Sequence, residues 1–194
     1  MFGNAYNATG QHDPFDTNTF LMSYRLITAS TNPGQNCTIM SQLWLYYSIK
    51  QNNARPVEQL AILQNLPMLT ILKKTETDSG ISAGGSGSEA SLSSNGFIVN
   101  PGVLLGGASI ATVCDELMSK HSQNFYYLTT KWITSAGGHA MAAFRDSRSL
   151  YLFEPDSGLH FADISDMAAL AAELEKRGLS GMKDVKLYQI LGMK

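Results

Sequence analysis

The sequence predicts an α+β domain in which N-terminal helices pack on a C-terminal antiparallel sheet. Two observations carry this. Between positions 37 and 122, apolar residues recur at three- and four-residue spacing, the period of a helix with one buried face. From position 125 onward, aromatic and β-branched residues gather in short runs separated by turn formers, the pattern of strands and hairpins.

The elements follow in order. Residues 1–30 are polar and rich in Asn, Asp and Thr, and are expected to form a partly ordered arm. Residues 31–194 are expected to form one domain. The turn-forming run Thr31-Asn32-Pro33-Gly34-Gln35-Asn36 precedes a helix from Cys37 to Gln51. Asn36 suits the N-cap, and Met40, Leu43, Trp44 and Tyr47 form one buried stripe. A second helix is expected over Pro56–Lys74, kinked at Pro67. The Gly/Ser-rich residues 78–96 read as a flexible loop. Leu104–Ser122 reads as a helix with Ile110, Val113, Cys114, Leu117 and Met118 inward, which makes Cys114 a buried, inert thiol. Strands are then expected over Phe125–Trp132, His139–Arg145 and Leu150–Glu154, a helix over Ile164–Gly178, and a last strand over Val185–Leu191.

Composition bounds the function. A chain of 194 residues is long enough for one domain with a real core. A net charge of −2 gives no reason to expect nucleic acid or an anionic membrane as partner. No apolar run reaches the roughly 18 residues of a membrane helix, and Met1-Phe2-Gly3-Asn4-Ala5 lacks the pattern of a cleaved secretory signal. The two cysteines, Cys37 and Cys114, read as thiols. The four histidines and two cysteines show no zinc-ligand spacing, so neither a metal nor any other cofactor is expected.

Three separated residue types nevertheless make a chemical constellation. Cys37 opens a helix, where the partial positive charge of the N-terminus favours an anion, and the thiolate is the reactive form of cysteine. His139 follows Gly137-Gly138 and precedes small residues, which leaves room beside the ring. If Ser147-Arg148 form a two-residue hairpin loop, His139 faces Asp156 directly and Glu154 diagonally on the next strand. Either acid is then placed to orient the imidazole.

At these residues the sequence resembles the YopT-like cysteine proteases, bacterial effector proteins of the papain-like superfamily. That family carries Gly-x-Cys-x-x-Leu-Ser-x-x-Trp, His-Ala-Met-Ala-Ala and Phe-Asp-Pro-Asn-x-Gly motifs. Here Cys37, Ser41 and Trp44 match the first, with Met40 in place of leucine and Gly34 one position further from the cysteine. His139-Ala140-Met141-Ala142-Ala143 matches the second without change. Phe153-Glu154-Pro155-Asp156-Ser157-Gly158 matches the third with Glu154 on the family's catalytic Asp and Asp156 on its Asn.

The resemblance implies a papain-like fold and a cysteine peptidase with Cys37 as nucleophile, His139 as base and Glu154 or Asp156 as the orienting acid. It also implies an amide that helps bind the oxyanion, with Asn32 the first candidate and Gln35 the second. The implied protein is an effector that reaches a host or target cell without a signal peptide and acts on a protein there. Two rival readings use the same residues. A Cys-His-acid site also serves glutamine deamidation, transglutamination and acyl transfer. A non-catalytic binding module on a degenerate papain-like scaffold would keep the fold and lose the chemistry. The oligomeric state is left open.

Overall fold

His139 to Phe144 is apolar at nearly every position rather than at alternate ones, which is what a strand covered on both faces requires. The computed structural model describes residues 36–52, 88–107, 109–119, 123–132, 138–155, 158–176 and 179–194. Among them, helix α1 (Asn36–Gln51) and the short helix α2 (Ser88–Ser94) precede strands β1 (Phe97–Val99) and β2 (Val103–Leu105). Helix α3 (Ile110–Ser119), strands β3 (Asn124–Trp132), β4 (Gly138–Arg145), β5 (Ser149–Glu154) and β6 (Gly158–Asp163), helix α4 (Met167–Lys176) and strand β7 (Met182–Met193) follow.

The strands form one antiparallel sheet in the order β1-β7-β3-β4-β5-β6, with β2 also paired to β7. Side-chain alternation divides β4 between two cores. Ala140, Ala142 and Phe144 join Met40, Leu43 and Trp44 of α1 and Leu92 of α2. Met141 and Ala143 join Ile110, Val113 and Leu117 of α3 and Leu170 and Leu174 of α4. The architecture is α+β, as the pattern predicts. The arrangement differs from helices first and sheet last, because β1 and β2 lie before α3, and the helices cover both faces.

Two further expectations are corrected. Within the stretch read as a flexible loop, Ser88–Ser94 is a helix whose Leu92 is 0 % exposed. It is held by the Gln42 amide, which donates to Ser91 Oγ at 3.1 Å and accepts from Asn95 Nδ2 at 2.7 Å. The helix expected from Leu104 begins at Ile110 instead, because Leu104 and Leu105 pair with Lys186 and Val185 of β7. Gly107, at φ +65, makes the turn between strand and helix, and Ser109 Oγ accepts from Thr112 N at the helix start. Ile110, Val113, Cys114 and Leu117 are inward as expected, while Met118 is half-buried at the rim of the same core. The arm, the helix at 56–74 and the first part of the loop lie outside the described residues.

Helix α1 is buried well beyond its expected stripe, since Thr38, Ser41, Gln42, Leu45 and Ser48 are also buried. Trp44 fixes its rotation by stacking on Phe153 of β5, with ring centroids 5.6 Å apart and planes 3° from parallel. We expect Trp44→Ala to destabilise the fold by about 3–5 kcal/mol, the range for truncating a buried aromatic residue. Trp44→Phe should cost a fraction of that, because Trp44 Nε1 has no hydrogen-bond partner among the described residues. Denaturant unfolding of the two variants measures the difference.

Candidate active site

Helix α1 starts at Asn36, so Cys37 stands in its first turn, half-buried at the rim of the core. Ser41, one turn later, donates from Oγ to the carbonyl of Ala140 at 3.1 Å. That bond clamps the start of α1 to β4 beside His139. The clamp fits the sheet's geometry. Pairing of β3 with β4 extends to Lys131↔Gly138, whereas that of β4 with β5, among the described residues, ends at Ala142↔Phe153. His139 and Ala140 thus lie on a stretch of β4 paired on the β3 side, where the helix start can approach. Behind His139, Thr130 of β3 is its direct partner and donates from Oγ1 to Lys183 O of β7 at 2.9 Å.

The hairpin between β4 and β5 has the register that the two-residue loop predicts. Asp146 N donates to Ser149 O at 3.0 Å, and Asp146 Oδ1 accepts from Arg148 N and Ser149 N, both at 2.7 Å. With Ala142 opposite Phe153, Glu154 falls diagonally across from His139. Its Oε1 lies 2.6 Å from His139 Nε2. The two side chains are buried, at 6 % and 5 % exposure for His139 and Glu154. A contact this short between buried groups is a charge-assisted hydrogen bond. The His139 ring also hydrogen-bonds the Cys37 side chain.

The electrostatics follow from this row of three. Burial pulls the His139 pKa down, but hydrogen bonds to Cys37 and Glu154, together with their negative charge, outweigh it and raise the pKa from 6.5 to about 10. The ring is therefore an imidazolium through neutral pH. Cys114 contrasts with Cys37. It sits in the α3–α4 core, and burial, helped by the charge of Asp115, pushes its thiol up to about 12. Both cysteines are free.

The structure thus brings together Cys37, His139 and Glu154. Asp156, Asn32 and Gln35 lie outside the described residues. The sequence places Trp44 in the buried stripe of α1 and matches Ser41 to a motif without giving it a task. Here they fasten α1 to β4 and β5. Gln42 went unnoticed, because its partners belong to a helix that was not foreseen. A buried amide on the flank of an apolar stripe was the available signal. Among the described residues no group of three or more His, Cys, Asp or Glu is arranged to hold a metal ion, and no helix is long and apolar enough to cross a membrane.

No protein-family model matches the chain, and no curated protein is similar to it in sequence. Among solved structures, the fold is similar to that of the Pseudomonas avirulence protein AvrPphB, with a TM-score of 0.50, 11 % sequence identity and 97 % of each chain covered. At that identity the likeness concerns the fold.

Proposed function

We propose that this chain is a papain-like cysteine protease in which Cys37 is the nucleophile, His139 the proton carrier and Glu154 the acid that orients His139. The observation that carries the reading is the row of half-buried Cys37 and buried His139 and Glu154, with its 2.6 Å contact between ring and carboxylate. In the reaction, the Cys37 thiolate attacks a peptide carbonyl. The imidazolium then gives its proton to the leaving amine, and a thioester remains on Cys37. The neutral ring next takes a proton from water, which hydrolyses the thioester and restores the thiolate–imidazolium pair. In the first turn of a helix the backbone N–H groups have no partner within the helix, so that of Cys37 is proposed to face the oxyanion. Asn32, or failing it Gln35, is the side-chain amide proposed to join it.

The resemblance to effector proteases, together with a fold like that of an avirulence protein, supports a protein substrate in another cell. Delivery without a signal peptide belongs to the same reading. Deamidation, transglutamination and acyl transfer share the thioester and differ in what resolves it. A degenerate scaffold would be suggested by Glu154 and Asp156 standing where the motif has Asp and Asn, and the contact made by Glu154 weakens that argument.

The test is alkylation with iodoacetamide followed by peptide mass spectrometry. Cys37 should be modified rapidly and Cys114, buried with its thiol pushed up to about 12, should be spared. Equal modification of both, or of neither, would overturn the reading. Mass analysis of a treated protein substrate then separates chain cleavage from the small mass gain of deamidation.

A further inference from the structure

Two lysines stand opposite each other beside the proposed triad. Lys131 of β3 pairs with Gly138 of β4 on one side and with Lys183 of β7 on the other. Gly138 is the residue before His139. Neighbouring strands lie about 4.8 Å apart, so the Lys131 backbone is one strand from that of His139 and the Lys183 backbone two, about 10 Å away. Lys131 is exposed and Lys183 half-buried, and neither forms an ion pair with a described residue. Like charges directly opposite on antiparallel strands repel.

A bulge produces this pairing. Thr129 faces Lys186, so an unbroken ladder would set Asp184 across from Lys131, an acid across from a base. The register shifts between Thr129 and Lys131 instead and brings Lys183 there. Asp184 takes φ +50, an uncommon left-handed conformation for a residue other than glycine. Such bulges gather beside active sites, where they re-aim side chains.

The pair lies on the face and at the end of the sheet where Cys37 stands. Tyr127 and Ala140 face the core under α1, and alternation along β3 puts Lys131 on the same face as Tyr127. Helix α1 runs along that face from Ser41, held to Ala140, to Ile49 and Asn52, which border a small hollow with Asn124 and Phe125 at the far end of β3. Its N-terminus, and Cys37 with it, is therefore at the Lys131 end. Charge is one-sided there, although the whole chain carries −2. Strands β3 and β4 and helix α1 contain no acidic residue, β7 contains only Asp184, and Glu154 of β5 is bound to His139. A third lysine on this face, Lys186, lies over the Tyr188 ring, 5.1 Å from its centre.

We propose that Lys131 and Lys183 set substrate specificity, favouring proteins with an acidic side chain close to the peptide bond that Cys37 attacks. This deepens the protease reading and rests on it. The substrate carboxylate supplies the counter-charge that neither strand provides, and it relieves the repulsion between the two ammonium groups.

The test uses two alkylating agents that differ by one charge. Iodoacetate carries a carboxylate and iodoacetamide does not, so the ratio of their rates at Cys37 reads the local field and cancels changes in the thiol itself. At low ionic strength the ratio should fall about fourfold in Lys131→Gln/Lys183→Gln and about twofold in each single variant, the factor for one charge at about 10 Å in water. About 1 M salt should abolish the difference from wild type. Lys194→Gln makes the same kind of charge change just beyond the other end of β7 and should leave the ratio as it is.

An unchanged ratio in the double variant, or an equal fall in Lys194→Gln, would overturn the proposal. So would an unchanged ratio coupled to lost co-sedimentation with phosphatidylserine vesicles, which would assign the lysines to a membrane surface. Failure of the protease reading looks different. There, Cys37 of the wild-type chain would react with iodoacetamide no faster than a simple thiol, whatever the ratio.

Discussion

Cys37→Ala should abolish turnover while leaving the melting temperature within a few degrees of the wild type. The loss is expected to be on the order of 10⁶-fold, because removing the nucleophile of such a unit costs about as much as removing the whole unit. The fold should survive because α1 is fastened elsewhere, by Ser41 on Ala140, Gln42 on Ser91 and Asn95, and Trp44 on Phe153. The His139 ring reports the change independently of any substrate. Cys37 contributes both a hydrogen bond and a charge to its raised pKa, so in the alanine variant the ring should titrate well below about 10. The sign for stability follows from linkage. The folded pKa exceeds the unfolded value of 6.5, so the stabilisation from ring protonation is complete below pH 6.5 and is lost as pH rises through about 10. In Cys37→Ala the stabilisation should be smaller and its loss should be complete at a lower pH. NMR titration of the ring, with melting curves across the same pH range, measures both. Residual turnover or an unmoved titration would remove Cys37 from the site.

Glu154→Gln should carry the second-largest effect, a fall in rate of about 10²–10⁴-fold, in the range known for neutralising the acid behind a catalytic histidine. Glutamine keeps the length of the side chain but removes its charge. An amide that turns its –NH₂ toward Nε2 would oppose the ring N–H rather than accept from it. The ring pKa should fall as well, because burial disfavours the imidazolium once the carboxylate is gone. The comparison that decides is Asp156→Asn, for which a loss of no more than about threefold is expected if Glu154 alone orients the ring. Equal small losses in both variants would end the assignment of an orienting acid. Steady-state rates and ring titrations on the two proteins provide the readouts.

The parts of this site legible in the sequence were those set by short-range rules. The turn chemistry of Asp146 to Ser149 fixes a register, and a register fixes which strand positions share a face, so Glu154 could be set diagonal to His139 by counting. The helix at Cys37 was legible from its apolar period and from the turn formers before it. Strands β1 and β2 were not, because three residues carry no period and they exist as strands through pairing with β7. Helix α2 escaped for a related reason. Ser88–Ser94 has little intrinsic tendency to be helical and is held by the burial of Leu92 and by the Gln42 side chain. Strand β6 was missed as well, because a run of six residues beginning at a glycine carries little period of its own.

The place of β7 in the sheet has a consequence for how the protein comes into being. It follows every other described strand in the chain, yet lies inside the sheet, flanked by β1 and β2 on one side and β3 on the other. A nascent chain that has not yet released Met182–Met193 from the ribosome lacks the strand that joins β1 and β2 to β3. The clamp from Ser41 to Ala140 likewise spans 99 positions. Contacts of such long range form slowly. During synthesis, Cys37 therefore emerges as an ordinary thiol long before its partner strands are in place. The row of Cys37, His139 and Glu154 is assembled only when translation of the sheet is complete.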